Sequence, residues 1–263
     1  MANPMQGWSG DSNQIMYVAG NRDLGQSGGE VVHLRDLSTG EDREIYHARG
    51  ATECTWAVQQ PKVFCSDRGE TMDVLSIALD SGEIARLGTL KAPAIILYPS
   101  RDDRALYMFR TDPAGEMLRW EIATGRETTL DRFPSAAVEL VSQDERWLVR
   151  WTNQNIAIRP TAGGDWKPLV SLSKDVFTGH VNFTADGNWL LYHDLDSTGK
   201  HSLFRVATAG GQPELLGDFP TNSLSGSLEI SPDGSKVIVS AAESETGYEL
   251  WSLENFVPPA PKP

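Results

Sequence analysis

The sequence has 263 residues, 40% of them apolar and 22% charged, and its 23 basic and 36 acidic residues give a net charge of −13. These proportions are typical of a globular protein with a sizeable core. The acidic balance argues against nucleic acid as a partner, because a nucleic-acid-binding domain presents a basic surface to the phosphates.

No run of 18 or more apolar residues is present, so we expect no membrane span. The N-terminal residues MANPMQGWSGDSN lack the basic and apolar regions of a secretory leader, so we expect a cytoplasmic protein. A periplasmic location is the alternative if a leader precedes the printed residues. We further expect the chain to be a monomer.

A polar turn followed by an apolar run recurs six times along the chain. The copies read WSGDSNQIMYV, TWAVQQPKVFC, PSRDDRALYMF, VSQDERWLVRW, FTADGNWLLYH and ISPDGSKVIVS. The serine position is occupied by Ser9, Ala57, Ser100, Ser142, Thr184 and Ser231, at intervals of 48, 43, 42, 42 and 47 residues. The aspartate two positions later is interpreted as a turn former, because its carboxylate can accept backbone N–H groups of its own turn.

A second, glycine-containing turn follows each of the first five copies, as LSTGE, LDSGE, IATGR, PTAGGD and ATAGGQ. One repeat therefore contains four strands, a to d, with the first turn between a and b and the glycine turn between c and d. Four short strands every 42 to 48 residues are typical of a propeller blade. We predict an all-β, six-bladed β-propeller with mostly four antiparallel strands per blade.

The six repeats set the expected boundaries. The propeller is predicted at 1–256, with blades at about 5–48, 51–90, 93–133, 135–173, 177–219 and 222–256, and a disordered tail at 257–263. The last copy has no evident fourth strand, since Pro258 and Pro259 follow soon after strand c. Either the last blade lacks a strand, or the chain is the C-terminal part of a longer bacterial protein.

The repeated Ser-Pro-Asp-Gly pattern with its downstream glycine turn resembles the WD-like repeats of TolB-like propellers, from about Trp8 to Phe256. The resemblance implies the fold. It leaves the function open, because such propellers occur in periplasmic, peptidase-linked and regulatory proteins.

Three of the five histidines fall in the fifth repeat: His180, His193 and His201. We expect His193 and His201 to lie opposite each other on strands b and c. With Asp194 and Asp196 nearby, a site for a divalent cation is conceivable, because imidazole and carboxylate are common metal ligands. The alternative, which we favour, is that these are surface histidines and that there is no cofactor.

Cys54 and Cys65 lie at equal distances from the turn of the second repeat and could face each other across a ladder. In a cytoplasmic protein we expect two buried thiols rather than a disulfide.

Function is expected on the b–c and d–a connections, which share one end of the blades and are called the loop face here. The candidate binding residues there are Asp23, Asp67, Asp112, His180, His193, Asp194, Asp196, His201 and Glu243. Motifs of common hydrolases, zinc peptidases and nucleotide sites are absent from the sequence. We therefore expect a non-enzymatic scaffold that binds a protein or peptide. The alternatives are a metal-dependent lactonase or lyase with its site at the channel mouth, and a sensor or gating domain of a larger enzyme.

Overall fold

The computed structural model describes residues 5–20, 29–91, 94–110, 115–133, 137–152, 154–173, 181–195, 198, 200–218, 224–244 and 247–254. The chain divides into two compact units, residues 1–141 and 142–263.

The regular structure of these residues consists of six antiparallel sheets in chain order. The first contains β1 (Met5–Trp8), β2 (Gln14–Gly20), β3 (Glu30–Asp36) and β4 (Asp42–His47). The second contains β5 (Thr52–Trp56), β6 (Lys62–Arg68), β7 (Met72–Ala78) and β8 (Ile84–Leu90). The third contains β9 (Ile95–Pro99), β10 (Ala105–Arg110), β11 (Gly115–Glu121) and β12 (Arg126–Phe133).

The remaining three sheets follow the same order. The fourth contains β13 (Val138–Val141), β14 (Trp147–Trp151), β15 (Asn155–Pro160) and β16 (Lys167–Ser171). The fifth contains β17 (Val181–Phe183), β18 (Trp189–Leu195), β19 (His201–Ala207) and β20 (Glu214–Asp218). The sixth contains β21 (Leu224–Ile230), β22 (Lys236–Ser244) and β23 (Gly247–Glu254).

The prediction of six blades is wrong in its count: the described residues form five blades of four strands, and the sixth sheet has three. In the five complete blades, strand c leads through a glycine turn into strand d. No glycine follows Glu254 in the printed sequence, and the residues after Glu254 lie outside the described residues.

The core lies between the faces of consecutive sheets. Met16 and Leu34 of the first blade share one buried cluster with Ile77 of the second. Val74 of the second blade shares another with Ile96 and Trp120 of the third, and Leu203 of the fifth packs with Val237 of the sixth sheet. Both faces of these strands are covered, which explains their runs of consecutive apolar residues.

The a–b turn has the same hydrogen bonds in five repeats. The hydroxyl group donates to the aspartate two residues later at 2.6–2.7 Å, in the pairs Ser9–Asp11, Ser100–Asp102, Ser142–Asp144, Thr184–Asp186 and Ser231–Asp233. Each carboxylate also accepts the backbone N–H two positions further on. The Ser9 hydroxyl holds the pKa of the Asp11 carboxyl below its usual value. The interpretation of these aspartates as turn formers is confirmed.

The second repeat lacks this pair, because Ala57 and Gln59 occupy the two positions. Its turn is held by Asp103 from the third blade. The two carboxylate oxygens of Asp103 accept the backbone N–H groups of Val58 at 2.7 Å and Gln59 at 2.8 Å. Asp103 thus joins the third blade to this turn through two N–H groups that the turn aspartates do not use elsewhere. The N–H that they do use has no counterpart here, because that position is Pro61.

The c–d pairing carries a register shift at the same place in all five complete blades. The strand c residue at which the shift begins precedes the glycine of the following turn by eight positions. The residue and its glycine are Val32 and Gly40, Val74 and Gly82, Met117 and Gly125, Ile156 and Gly164, and Leu203 and Gly211. A bulge increases local twist, so its repetition gives each outer strand the same twist.

The last residue of the a–b turn has a left-handed backbone conformation in five repeats. Its φ lies between 57° and 71° at Ser12, Asp103, Glu145, Gly187 and Gly234. At Gly234 an added Cβ would meet nothing within 4 Å, whereas at Gly187 it would overlap the Asp144 carboxylate.

We expect Gly234→Ala to lower the free energy of unfolding by about 1 kcal/mol, because only backbone strain opposes it. Gly187→Ala should cost about 2 kcal/mol more, since the methyl group must also displace Asp144. Urea unfolding of both variants measures the difference. Equal losses would contradict the close approach at Gly187.

Candidate functional site

Five of the nine predicted binding residues cannot be placed as side chains. Asp23, Asp112, His180 and Asp196 lie outside the described residues, and Glu243 is described in its backbone only, within β22. The structure therefore describes the side chains of four of them, Asp67 in the first unit and His193, Asp194 and His201 in the second, and each unit is considered by itself.

Asp67 lies at the end of β6 on the loop face, and its side chain is 2% exposed. Its Oδ1 accepts the backbone N–H of Arg49 at 2.9 Å. Its Oδ2 accepts the guanidinium Nε of Arg49 at 2.8 Å and the hydroxyl of Tyr46 at 2.6 Å. Both oxygens are thus engaged by the connection that leads from the first blade into the second.

Arg49 also belongs to a network of hydrogen bonds around Asp73, which the sequence interpretation missed. The Nη2 of Arg49 donates to Asp73 Oδ2 at 2.9 Å, and Arg86 donates to Asp73 Oδ1 at 2.8 Å. The hydrogen bond from Arg86 is the main cause that holds the pKa of the Asp73 carboxyl below its usual value. The only signal in the sequence was the pair of aspartates that flank the b–c loop, in SDRGETMD.

Asp194 repeats this arrangement in the fifth blade. It follows Thr184 by ten residues, as Asp67 follows Ala57. It is 7% exposed and accepts the backbone N–H of Ser173 at 3.1 and 3.2 Å, together with that of Leu195 at 2.8 Å. Ser173 belongs to the connection that enters the fifth blade. Asp67 and Asp194 are therefore two copies of one tether between strand b and the preceding d–a connection.

His193 and His201 are brought together, although not in the predicted register. His193 lies opposite Leu203 and His201 lies opposite Leu195, so the two histidines are diagonal neighbours on one side of the sheet. Their rings stack with centroids 4.7 Å apart and planes 13° from parallel. The Nε2 of His193 and the Nδ1 of His201 are in hydrogen-bond contact.

The imidazole ring of His193 is uncharged at neutral pH. Burial first, and then the neighbouring His201, lower the pKa of His193 to about 4. A neutral imidazole is the form that binds metal ions. An ion held by both rings would have to replace the hydrogen bond between them, and no group of three or more potential ligands occurs among the described residues.

The sequence interpretation missed the buried carboxyl group of Glu229, in the first strand of the sixth sheet. This group contacts Asn182, in the first strand of the fifth sheet. The side-chain amide of Asn182, in β17, donates to Glu229 Oε2 at 3.0 Å and to the carbonyl of Leu228 at 3.2 Å. Burial raises the pKa of Glu229, in β21, to about 7. The only sign of the buried Glu229 in the sequence is the presence of a charged residue within the segment SLEI.

The two cysteines form a disulfide bond, so the expectation of two thiols is wrong. Cys54 and Cys65 are directly paired in the ladder of β5 and β6, with Cα atoms 4.1 Å apart. The close approach of opposite residues in an antiparallel ladder places the two sulfur atoms within bonding reach.

No protein-family model matches the sequence, and no curated protein matches it. Solved structures do match. TolB from Acinetobacter baumannii is 13% identical, with a TM-score of 0.71 over 94% of this chain and 62% of that one. The putative TolB from Agrobacterium tumefaciens is 13% identical, with a TM-score of 0.63 over 93% of this chain and 86% of that one.

The chain has a TolB-like β-propeller fold. A third similar structure, oligogalacturonate lyase in complex with manganese, is 14% identical, with a TM-score of 0.67 over 96% of this chain and 74% of that one. At these identities the likeness establishes the propeller fold alone. The chain spans 62% of the length of the Acinetobacter TolB. No helix among the described residues is long and apolar enough to cross a membrane.

We expect Asp67→Ala to lower the free energy of unfolding of the propeller by about 3 kcal/mol, because it removes the acceptor for Tyr46 and for the Arg49 backbone. Asp80→Ala, at an exposed turn of the same blade, should change it by less than about 0.5 kcal/mol. Chemical unfolding compares the two. Similar small losses would show that the tether contributes little.

Proposed function

We propose that this propeller is a non-enzymatic module that binds a protein or peptide on its loop face. The observation that carries the proposal is the tether made by Asp67 and, in the fifth blade, by Asp194. Each joins a d–a connection to the end of strand b through buried hydrogen bonds. Because these hydrogen bonds already fix part of each d–a connection, binding a partner there costs less conformational entropy.

The charge of the chain indicates the kind of partner. With a net charge of −13, the protein attracts a basic surface and repels an acidic one. The tethers also leave Asp67 and Asp194 with occupied oxygens, so these two carboxylates serve the scaffold. The partner would contact the side chains that project above them, such as Glu70, which is exposed in the loop after β6.

Site-specific photocrosslinking in cells of the natural host tests the proposal. We expect a crosslinker at Glu70 to give one discrete protein adduct. The control is a crosslinker at Thr128, which is exposed on the outer strand β12. An adduct yield at Glu70 no higher than at Thr128 would contradict binding on the loop face.

A metal-dependent enzyme is the second candidate, and the contact between His193 and His201 is the observation that favours it. Two imidazoles supply half of a four-ligand site, and His180 is the residue proposed to add a third. The lyase of similar fold was solved with manganese, which names the ion to test first.

This candidate predicts that Mn²⁺, added after EDTA, raises the melting temperature by roughly 5 °C at an ion concentration about 100 times the Kd. The shift should disappear in His193→Gln and persist in His47→Ala, where the histidine side chain is 62% exposed. Differential scanning fluorimetry measures it. No shift with Mn²⁺, Ca²⁺ or Zn²⁺ would remove this candidate and leave the binding module.

A further inference from the structure

Two arginine side chains at the loop face of the first unit share one carboxylate. Arg49, in the connection between β4 and β5, donates from Nη2 to Asp73 Oδ2 at 2.9 Å. Arg86, in β8, donates from Nη2 to Asp73 Oδ1 at 2.8 Å. Because both hydrogen bonds end on the same carboxylate, the two guanidinium groups are neighbours in space. They are called the arginine pair here.

Further contacts hold each guanidinium group in place. The Nε of Arg49 donates to Asp67 Oδ2 at 2.8 Å, and its Cζ lies 3.4 Å from the position that a Cβ at Gly69 would take. The Nη2 of Arg86 is also in hydrogen-bond contact with the hydroxyl group of Thr89. Side chains that are already fixed in this way lose little conformational entropy when they bind a ligand.

The cations of this cluster are exposed and its carboxylates are buried. The side chains of Arg49 and Arg86 are 53% and 59% exposed, whereas those of Asp67 and Asp73 are 2% and 11% exposed. In the part of the chain that the structure describes, the Nη1 of Arg49 and the Nε and Nη1 of Arg86 have no hydrogen-bond or ion-pair partner. The arginine pair therefore presents N–H donors to the solvent.

The charges around the arginine pair favour one kind of ligand. Its two positive charges are balanced by Asp67 and Asp73. The adjacent b–c loop adds Arg68 and Glu70, which are both exposed and opposite in charge. Because these side chains have no net positive charge, a dianionic phosphate group is poorly matched. A single carboxylate is well matched, since it can accept two parallel N–H bonds from a guanidinium group.

We propose that Arg49 and Arg86 form a binding site for one carboxylate group of a peptide ligand, supplied by a glutamate or aspartate side chain or by a C-terminus. The nature of the ligand rests on the proposed function, because the arginine pair and Glu70 lie on the same loop face. The net charge of −13 favours a basic partner, and a basic partner still has a C-terminal carboxylate.

NMR spectra of the arginine Nε–Hε groups test the site, with acetate as the probe. The signals of the arginine pair are assigned by their loss in Arg49→Lys and Arg86→Lys. Acetate replaces chloride at constant ionic strength. We expect the Arg86 signal to shift saturably, with half-saturation at an acetate concentration about tenfold below that for Arg104. The side chain of Arg104 is 82% exposed, and its one ion pair, with Asp102, is 3.8 Å long.

A pair of variants separates the site from general charge attraction. Arg86→Gln should weaken the response of the Arg49 signal to acetate about tenfold, because half of the arginine pair is lost. Arg104→Gln is the matched control, since it removes the same charge from an exposed turn, and we expect less than about a twofold change. A shift of the Arg86 signal no stronger than that of Arg104, or an equal response of Arg49 in both variants, would overturn the proposal.

Three N-acetylated lysine–serine peptides identify the source of the carboxylate. The first has a free C-terminus, the second has one glutamate and a C-terminal amide, and the third has the amide and no carboxylate. Saturable shifts of the Arg86 signal with either of the first two support the proposal and name the source. Equal binding of all three overturns it, as does tighter binding of inorganic phosphate than of acetate.

The acetate experiment is independent of the partner protein. If acetate fails to bind, the arginine pair is not a carboxylate site, and the loop-face proposal is still decided by crosslinking at Glu70. If acetate binds and no adduct forms at Glu70, the carboxylate site stands and the loop-face proposal fails.

Discussion

The hydrogen bonds of the a–b turn are the interaction on which the rest of the structure depends. In five repeats a hydroxyl group donates to an aspartate, and that aspartate accepts a backbone N–H from the same turn. The polar groups concerned sit next to strands that are buried on both faces, where an unsatisfied group is costly. The turn of the second repeat is held differently, because Asp103 of the third blade accepts two of its N–H groups.

A second kind of carboxylate contact determines which side chains remain for function. Asp67 and Asp194 belong to the loop face by position, yet their oxygens are occupied by the connections that enter their blades. The described acidic residues at this end of the blades therefore include both buried tethers and exposed groups such as Glu70. Only the exposed groups can contact a partner, and the tethers fix where those groups stand.

The described residues of the loop face combine buried carboxylates with other polar groups. In the first unit, Asp67 is buried and Glu70, in the same b–c loop, is exposed. In the second unit, His193 and His201 are in contact, and Asp194 is buried. This combination suits the binding role proposed above.

The sequence interpretation succeeded where a feature recurs and failed where it depends on one contact. The turn aspartates were predicted because Ser9, Ser100 and their counterparts repeat at intervals of 42 to 48 residues. The register of His193 with Leu203 was missed, since the loop between β18 and β19 sets it and the sequence gives only loop length. Asp67 and Asp194 were predicted as binding residues, and the sequence does not show that their oxygens are occupied, because a buried acceptor and an exposed one look the same in sequence.

By itself the sequence determined the repeating unit: four short strands, two turn types, and apolar runs for faces that are covered on both sides. These follow from local chemistry, in which each residue's preference depends on its near neighbours in the chain. Only the tertiary structure decided that the sixth sheet has three strands, that Cys54 is bonded to Cys65, and that Asp73 joins Arg49 and Arg86. Those outcomes depend on distances between groups on different strands, which no local preference specifies.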